Sequence, residues 1–177
     1  WNNTSGNYLS VSAGTGSFSA NPLYVSTTDL RLTSNSPSRF GAPGMLDQGA
    51  LPYDTVATPG LYGTLWSNTT LTTTGGPYTS AGDLTIGPNV TLTIEPGVTL
   101  SFTSASDIML AGTNTSRGEL VVQATLAADG TPAIPITFAS TSTTAGSWYG
   151  LDLDTGAHAT VLDNVVIRSA TYGLNYR

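Results

Sequence analysis

Residues 83–102, DLTIGPNVTLTIEPGVTLSF, constrain this chain more than any other stretch. Leu84, Ile86, Val90, Leu92, Ile94, Val98, Leu100 and Phe102 occupy alternate positions, with Thr85, Thr91, Thr93, Thr99 and Ser101 between them. A period of two sends apolar side chains to one face of a strand and hydroxyls to the other. Gly-Pro-Asn and Glu-Pro-Gly interrupt the alternation, and both are turn formers. The region is therefore three short strands separated by tight turns.

The same alternation resumes in DIMLAG (107–112), GELVVQATL (118–126), IPITFAS (134–140), YGLDLD (149–154) and TVLDNVVIRS (160–169). No i, i+3, i+4, i+7 stripe survives the Gly, Pro and β-branched residues, so helices are not expected. Short strands of this kind build either an antiparallel sandwich or barrel, or a coil of parallel rungs. Two-residue hairpin loops are nearly missing, Asp129-Gly130 being the one candidate. Strands this brief suit a coil, in which each rung pairs with those above and below it.

From residue 76 to 167 the spacing resembles a known family. GPYTSAGDLTIGPNVTLTIEPGVTLSF, then GELVVQATLAADGTPAIPITFAS and GSWYGLDL, are similar to the opening rungs of right-handed parallel β-helices of the pectin-lyase-like type found on bacterial surfaces. VVQATLAADGTPAIPITF departs from the family pattern by an extra residue or two. Near the other end, NPLYVS, DLRLTSNSPSRFGAPG and LDQGALPY, within residues 20 to 53, resemble the closing rungs of the same fold. There SPSRFGAPG lacks the acidic residue usual in the closing turn.

The resemblance implies an all-β, right-handed parallel β-helix in permuted order. Residues 1–53 are expected to supply closing rungs, 54–76 a linker or cap, and 77–177 opening rungs. Leu61, Tyr62, Leu65 and Trp66 are candidates to cover an exposed end. Both termini are expected to fall in mid-rung, and reading Arg177 straight into Trp1 gives a plausible continuous coil. An uncapped rung exposes backbone donors and acceptors above an apolar core and so invites another strand. The expected interface comprises Trp1, Tyr8, Tyr172, Leu174, Tyr176 and Arg177. The partner is a further copy or tandem repeat stacked head to tail, or the chain's own closing segment folded back.

Composition narrows the function. The net charge is −6, all five basic residues are arginine, and there is no lysine. A phosphate backbone needs a basic stripe, so nucleic acid is excluded as a partner. The same balance argues against electrostatic attachment to a membrane, and no apolar run is long enough to insert in one. There is no cysteine, hence no disulfide, thiolate metal site or cysteine nucleophile. Sequons begin at Asn2, Asn3, Asn68, Asn89 and Asn114. These candidate glycosylation sites point to an extracellular or cell-surface location.

Side chains that could carry chemistry are few. Asp152 and Asp154, two apart, read first as decoration of a solvated face. An inverting glycosidase pair, or a calcium site completed by Asp129 or Asp163, is the sharper reading. His158 in GAHAT reads as an exposed turn residue, and Glu95 belongs to its Glu-Pro-Gly turn. No cofactor motif occurs. Thr85, Thr91, Thr93 and Thr99 are spaced too closely to stack on one face at whole-rung intervals. Trp1, Trp66, Trp148 and the tyrosines suit core, cap or interface positions, or a glycan-binding face, glycans being the second candidate partner. The expectation is an extracellular structural protein without enzymatic activity; the alternative is a carbohydrate-binding or adhesin fragment.

Overall fold

The computed structural model describes residues 19–49 and 51–177. Among the described residues, thirteen strands of three to five residues follow one another: β1 (Gly63–Leu65), β2 (Thr69–Leu71), β3 (Tyr78–Ser80), β4 (Leu84–Ile86), β5 (Thr91–Ile94), β6 (Thr99–Phe102), β7 (Glu119–Val122), β8 (Thr125–Asp129), β9 (Ile136–Ser140), β10 (Gly150–Leu153), β11 (Val161–Asp163), β12 (Val165–Ile167) and β13 (Leu174–Tyr176). They form three sheets in which every pairing between strands is parallel. Sheet A runs β1-β4-β7-β10-β13, sheet B runs β2-β5-β8-β11 and sheet C runs β3-β6-β9-β12. Each third strand stacks on the one before it, which defines a parallel β-helix of four rungs and the start of a fifth.

The turns explain why the strands stay short. Val90 N–H donates to Gly87 O at 3.2 Å and Val98 N–H to Glu95 O at 3.2 Å. Pro88 and Pro96 occupy the second turn position, while Asn89 and Gly97 take positive φ at the third. That is the type II arrangement, for which Pro sets one torsion and Gly or Asn tolerates the other. Each turn redirects the chain from one sheet to the next.

The alternating apolar residues fall into columns along the coil axis. Leu84, Leu120, Leu151 and Leu174 stand in one register, and Leu65, Ile86, Val122, Leu153 and Tyr176 in the next. Leu92 and Leu126 stack in sheet B; Tyr78, Leu100, Phe138 and Ile167 stack in sheet C. These columns enclose one apolar core from Leu65 to Leu151. Between β9 and β10, Trp148 is fully buried and stacks on Phe102 with ring centroids 4.7 Å apart; its indole N–H donates to Arg168 O at 2.7 Å. Trp148 is thus a core residue, with no face available to a glycan. The threonines distribute as their spacing requires: Thr85 in sheet A, Thr91 and Thr93 in sheet B, Thr99 in sheet C.

Residues 63–71, which the sequence placed within the 54–76 linker, form β1 and β2 and so begin the coil. Their two three-residue strands carry one buried leucine each, Leu65 and Leu71, too short an alternation to be recognised as strand. Within the expected closing segment, the described residues 19–49 and 51–53 form isolated bridges rather than strands: Tyr24 with Leu32, Arg31 with Leu51, Ala42 with Leu46. They pack as a cap on β1. Asn35 O accepts from Thr64 N–H at 2.8 Å, the Asn35 amide donates to Tyr62 O at 3.0 Å, and the Trp66 indole donates to Ser36 O at 2.8 Å. Tyr62 and Trp66 therefore do meet the cap, through hydrogen bonds.

Candidate assembly surface and a buried carboxyl cluster

The two ends of the coil differ. At the first rung, Leu65 and Leu71 are 5% and 3% exposed. At the last, Leu174 and Tyr176 are 52% and 75% exposed, with Val161 and Tyr172 exposed beside them. The columns that bury Leu151 completely thus arrive at Leu174 with nothing above it among the described residues. Strands β11, β12 and β13 each end their sheet. Their outer edges leave parallel-ladder donors and acceptors facing outward, the condition under which a sheet accepts another strand.

A repeated tripeptide sharpens this contrast. Tyr149-Gly150-Leu151 recurs as Tyr172-Gly173-Leu174, and Leu151 pairs with Leu174. Gly150 has φ 134°, and a methyl group there would collide with the Tyr172 carbonyl of the following rung. Gly173 occupies the equivalent register and lacks the positive φ; a methyl group added to it would meet no described atom within 4 Å. The space that the fifth rung fills over Gly150 is open over Gly173.

Of the expected interface residues, Tyr172, Leu174, Tyr176 and Arg177 gather on this terminal rung, whereas Trp1 and Tyr8 lie outside the described residues. Asn2 and Asn3 lie outside them as well. Asn68 and Asn89 are exposed, each at the turn leading into a sheet B strand, one rung apart. Asn68 Oδ1 accepts from Thr91 N–H at 2.9 Å. Asn114 is half-buried and its Oδ1 accepts from Ser116 N–H at 3.0 Å.

A second feature lies on the outer face of sheet A. The chain between β6 and β7, residues 103–118, folds over that face. Asp107 of this loop and, beneath it, Asp83, Glu119 and Asp152 are all buried. Asp107 Oδ1 accepts from Met109 N–H at 2.8 Å and Asp83 N–H at 3.2 Å, and its Oδ2 from Ala111 N–H at 3.2 Å. Asp83 Oδ1 accepts from Glu119 N–H at 2.9 Å, and Glu119 Oε1 accepts from Thr113 N–H. The Thr113 hydroxyl donates to Asp152 Oδ2 at 3.1 Å. The carboxylates therefore hold the loop down through its own backbone. Gly112, with φ 64°, sits where a methyl group would overlap Glu119 Oε1 and come within 3.2 Å of Asp83 Oδ2.

Asp83 Oδ2 and Glu119 Oε2 are buried without a hydrogen-bond partner. Burial raises the Asp83 carboxyl to about 9, helped by the negative charges of Asp107 and Glu119. Burial likewise raises Glu119 to about 7, assisted by Asp152 and opposed by the Thr113 hydrogen bond and the Arg177 charge. Asp83 is thus a neutral acid at pH 7.

Asp152 corrects the expectation of a solvated face: it is fully buried. It pairs with Arg177 at 2.5 Å and also accepts from Asn175 at 3.2 Å. The loop over sheet A, which strand periodicity does not reveal, is the reason. Asp154 lies beyond the end of β10, half-buried, and its Oδ1 accepts from its neighbour Thr155 N–H at 2.8 Å. Asp129 and Asp163 pair across sheet B, both exposed. Among the described residues no three His, Cys, Asp or Glu side chains converge to hold a metal ion. His158 is exposed in its turn, with Nδ1 2.9 Å from Gly156 O, and Glu95 Oε2 accepts from Thr73 N–H at 3.1 Å.

The fold and these surfaces define a protein of the parallel β-helix class. No protein-family model, curated protein or solved structure matches this chain.

Proposed function

We propose that this chain is an extracellular structural protein of the right-handed, pectin-lyase-like β-helix kind. It acts as a subunit or tandem repeat, joined head to tail into a filament or stalk. The observation that carries the reading is the terminal rung, where three parallel strand edges and the core-column residues Leu174 and Tyr176 stand uncovered among the described residues. Burying one such aliphatic or aromatic side chain is worth about 1.5–3 kcal/mol, so a stacked rung is a favourable partner.

Other features agree. Outward positions in the sheets carry hydroxyls stacked rung on rung, Thr70 beside Thr93, Thr91 beside Thr125 and Thr99 beside Thr137. A polar, anionic flank disfavours side-by-side adhesion and leaves the ends as the adhesive surfaces. Asn68 and Asn89, exposed on that flank, suit glycan attachment without obstructing either end. Permuted order follows naturally: a segment resembling closing rungs precedes the coil and covers its first rung.

The test is light scattering after size-exclusion chromatography, with negative-stain electron microscopy, across a concentration series. Linear particles lengthening with concentration are expected. A compact monomer at every concentration refutes the reading.

A further inference from the structure

We infer that residues 110–117, the tip of the loop over sheet A, form a strap latched by one proton shared between Asp83 and Glu119. Loss of that proton releases the strap while the coil stays folded.

The loop is fixed on either side of this tip. Ala105 N–H donates to Ser147 O at 2.9 Å and Ile108 N–H to Ala81 O at 3.3 Å. Met109 is 2% exposed, and its carbonyl accepts from Asn21 N–H of the cap at 2.7 Å. At the far side Gly118 N–H donates to Ser106 O at 3.0 Å. Between these points no residue is buried, and the ties are polar. Ala111 N–H donates to Asp107 Oδ2 at 3.2 Å, Thr113 N–H to Glu119 Oε1, the Thr113 hydroxyl to Asp152 Oδ2 at 3.1 Å, and Arg117 Nη1 to Thr171 Oγ1 at 3.3 Å. Leu110, at φ 51°, is held in the left-handed region, which a side chain of this kind keeps only where its surroundings enforce it. A segment without buried apolar contacts opens more readily than the coil beneath it.

Three of the four ties end on carboxyls, so the charge of the cluster governs the tip. Asp83 Oδ2 and Glu119 Oε2 are buried without a partner. The two carboxyls are neighbours: Asp83 Oδ1 accepts from Glu119 N–H at 2.9 Å, and Asp83 Oδ2 and Glu119 Oε1 both lie within 3.2 Å of the place a Gly112 methyl would take. One proton on the pair leaves a single negative charge and gives one carboxyl a donor. With no proton, two like charges sit side by side out of water. The surrounding groups do not offset the second charge. Asp107 faces Asp83 from the loop as another acid; Asp152 faces Glu119 from β10 and occupies Arg177, the cation beside it; Tyr149 is uncharged. Gly112 lies against both carboxyls, so lifting the tip admits water to them. Burial holds the Asp83 proton up to about 9, whereas an open, wetted carboxyl loses it near its ordinary value. The closed strap thus keeps a proton that the open one lacks, and rising pH favours opening by up to about tenfold per unit.

The chain has no cysteine, so a nitroxide on Thr115→Cys, an exposed tip position, reports on the strap alone. Spin-label spectra of the full chain are expected to show an immobilised tip at pH 6. Between pH 7 and 9 the ratio of mobile to immobile label is expected to rise by up to about tenfold per unit, with far-ultraviolet circular dichroism unchanged. Asp83→Asn keeps the Oδ1 acceptor and has no proton to lose, so its tip is expected to stay immobilised over that range. Glu119→Gln, the second variant should the first fail to fold in a thermal melt, removes the charge facing Asp83 and is expected to show a smaller mobile fraction at pH 9. A wild-type tip whose mobility is the same from pH 6 to 10 overturns the inference. So does a folded variant that loosens as fully as the wild type, or a tip that loosens only together with the loss of the dichroism signal.

Discussion

Replacing Glu119 by Gln tests whether the buried carboxyls set the pH response of the fold. Glu119 rises from an ordinary 4.5 to about 7, chiefly through burial. The folded chain therefore keeps its proton over a range in which the unfolded chain has lost it. Because the unfolded state binds fewer protons there, stability falls as pH rises from about 4.5 to about 7, then levels off. The slope for one such group is about 1.4 kcal/mol per pH unit, and the total for Glu119 is roughly 3 kcal/mol.

Gln keeps the Oε1 acceptor for Thr113 N–H and carries no charge to bury at the unpartnered Oε2 position. The variant is therefore expected to equal the wild type near pH 4 and to exceed it at pH 8 by up to roughly 3 kcal/mol. In a chain of this size that is roughly 6–12 °C in melting temperature. Circular dichroism melts at pH 4, 6 and 8 on both proteins measure it, with the difference between them isolating Glu119 from other titrating groups. A variant equally destabilised at all three pH values, or a gap that does not grow with pH, refutes the argument.

Four further outcomes follow from the same contacts. Asp83→Asn should stabilise in the same direction and over a wider range, since Asp83 stays neutral up to about 9; the same melts, extended to pH 10, check it. Trp148→Ala should cost about 3–5 kcal/mol, by loss of the Phe102 stack and a cavity in a closed core, read by denaturant unfolding. Gly150→Ala should destabilise strongly because its φ and the Tyr172 carbonyl leave no room, whereas Gly173→Ala should leave the melting temperature of the monomer unchanged. Arg177→Ala should cost about 1–3 kcal/mol, because Asp152 is buried and loses its cation while keeping Thr113 and Asn175 as donors; chemical denaturation measures it.

Much of the coil is legible in the sequence because it is local. Alternation names the inward residues of β4, β5 and β6, and Pro88-Asn89 and Pro96-Gly97 fix the turns between them. The shortage of hairpin loops leaves parallel stacking as the way to pair such strands. What the sequence hides is long-range. Asp83, Asp107, Glu119 and Asp152 are scattered over four stretches and meet only because the loop of 103–118 lies back across sheet A. An outward strand position ordinarily faces water, so Asp152 reads as surface until that loop covers it. Trp148 belongs to no alternating run, and nothing local tells that Phe102 waits for it. The glycines at 150 and 173 differ only in what lies above them, which no local pattern records.

The location of the cap bears on the assembly proposed above. A closing segment on the same chain could cover either end of the coil. Its described part, from Ser19, sits against β1 and accepts from Thr64, so the head of the coil is engaged and the described tail is not. The two ends are then chemically unlike: a cap of irregular backbone with exposed Met45 and Leu46, and a rung of regular parallel edges ending in Leu174 and Tyr176. A contact between these unlike ends is heterologous and does not close on itself as a two-fold pair does. On the assembly proposed above, such ends propagate with polarity, each added copy presenting a fresh tail. Arg177 ties this tail to the buried acids through Asp152, and its charge also lowers Glu119. On the proposed assembly, a neighbour that drew Arg177 away would raise Glu119 further, which couples contact at the tail to the pH response of the core.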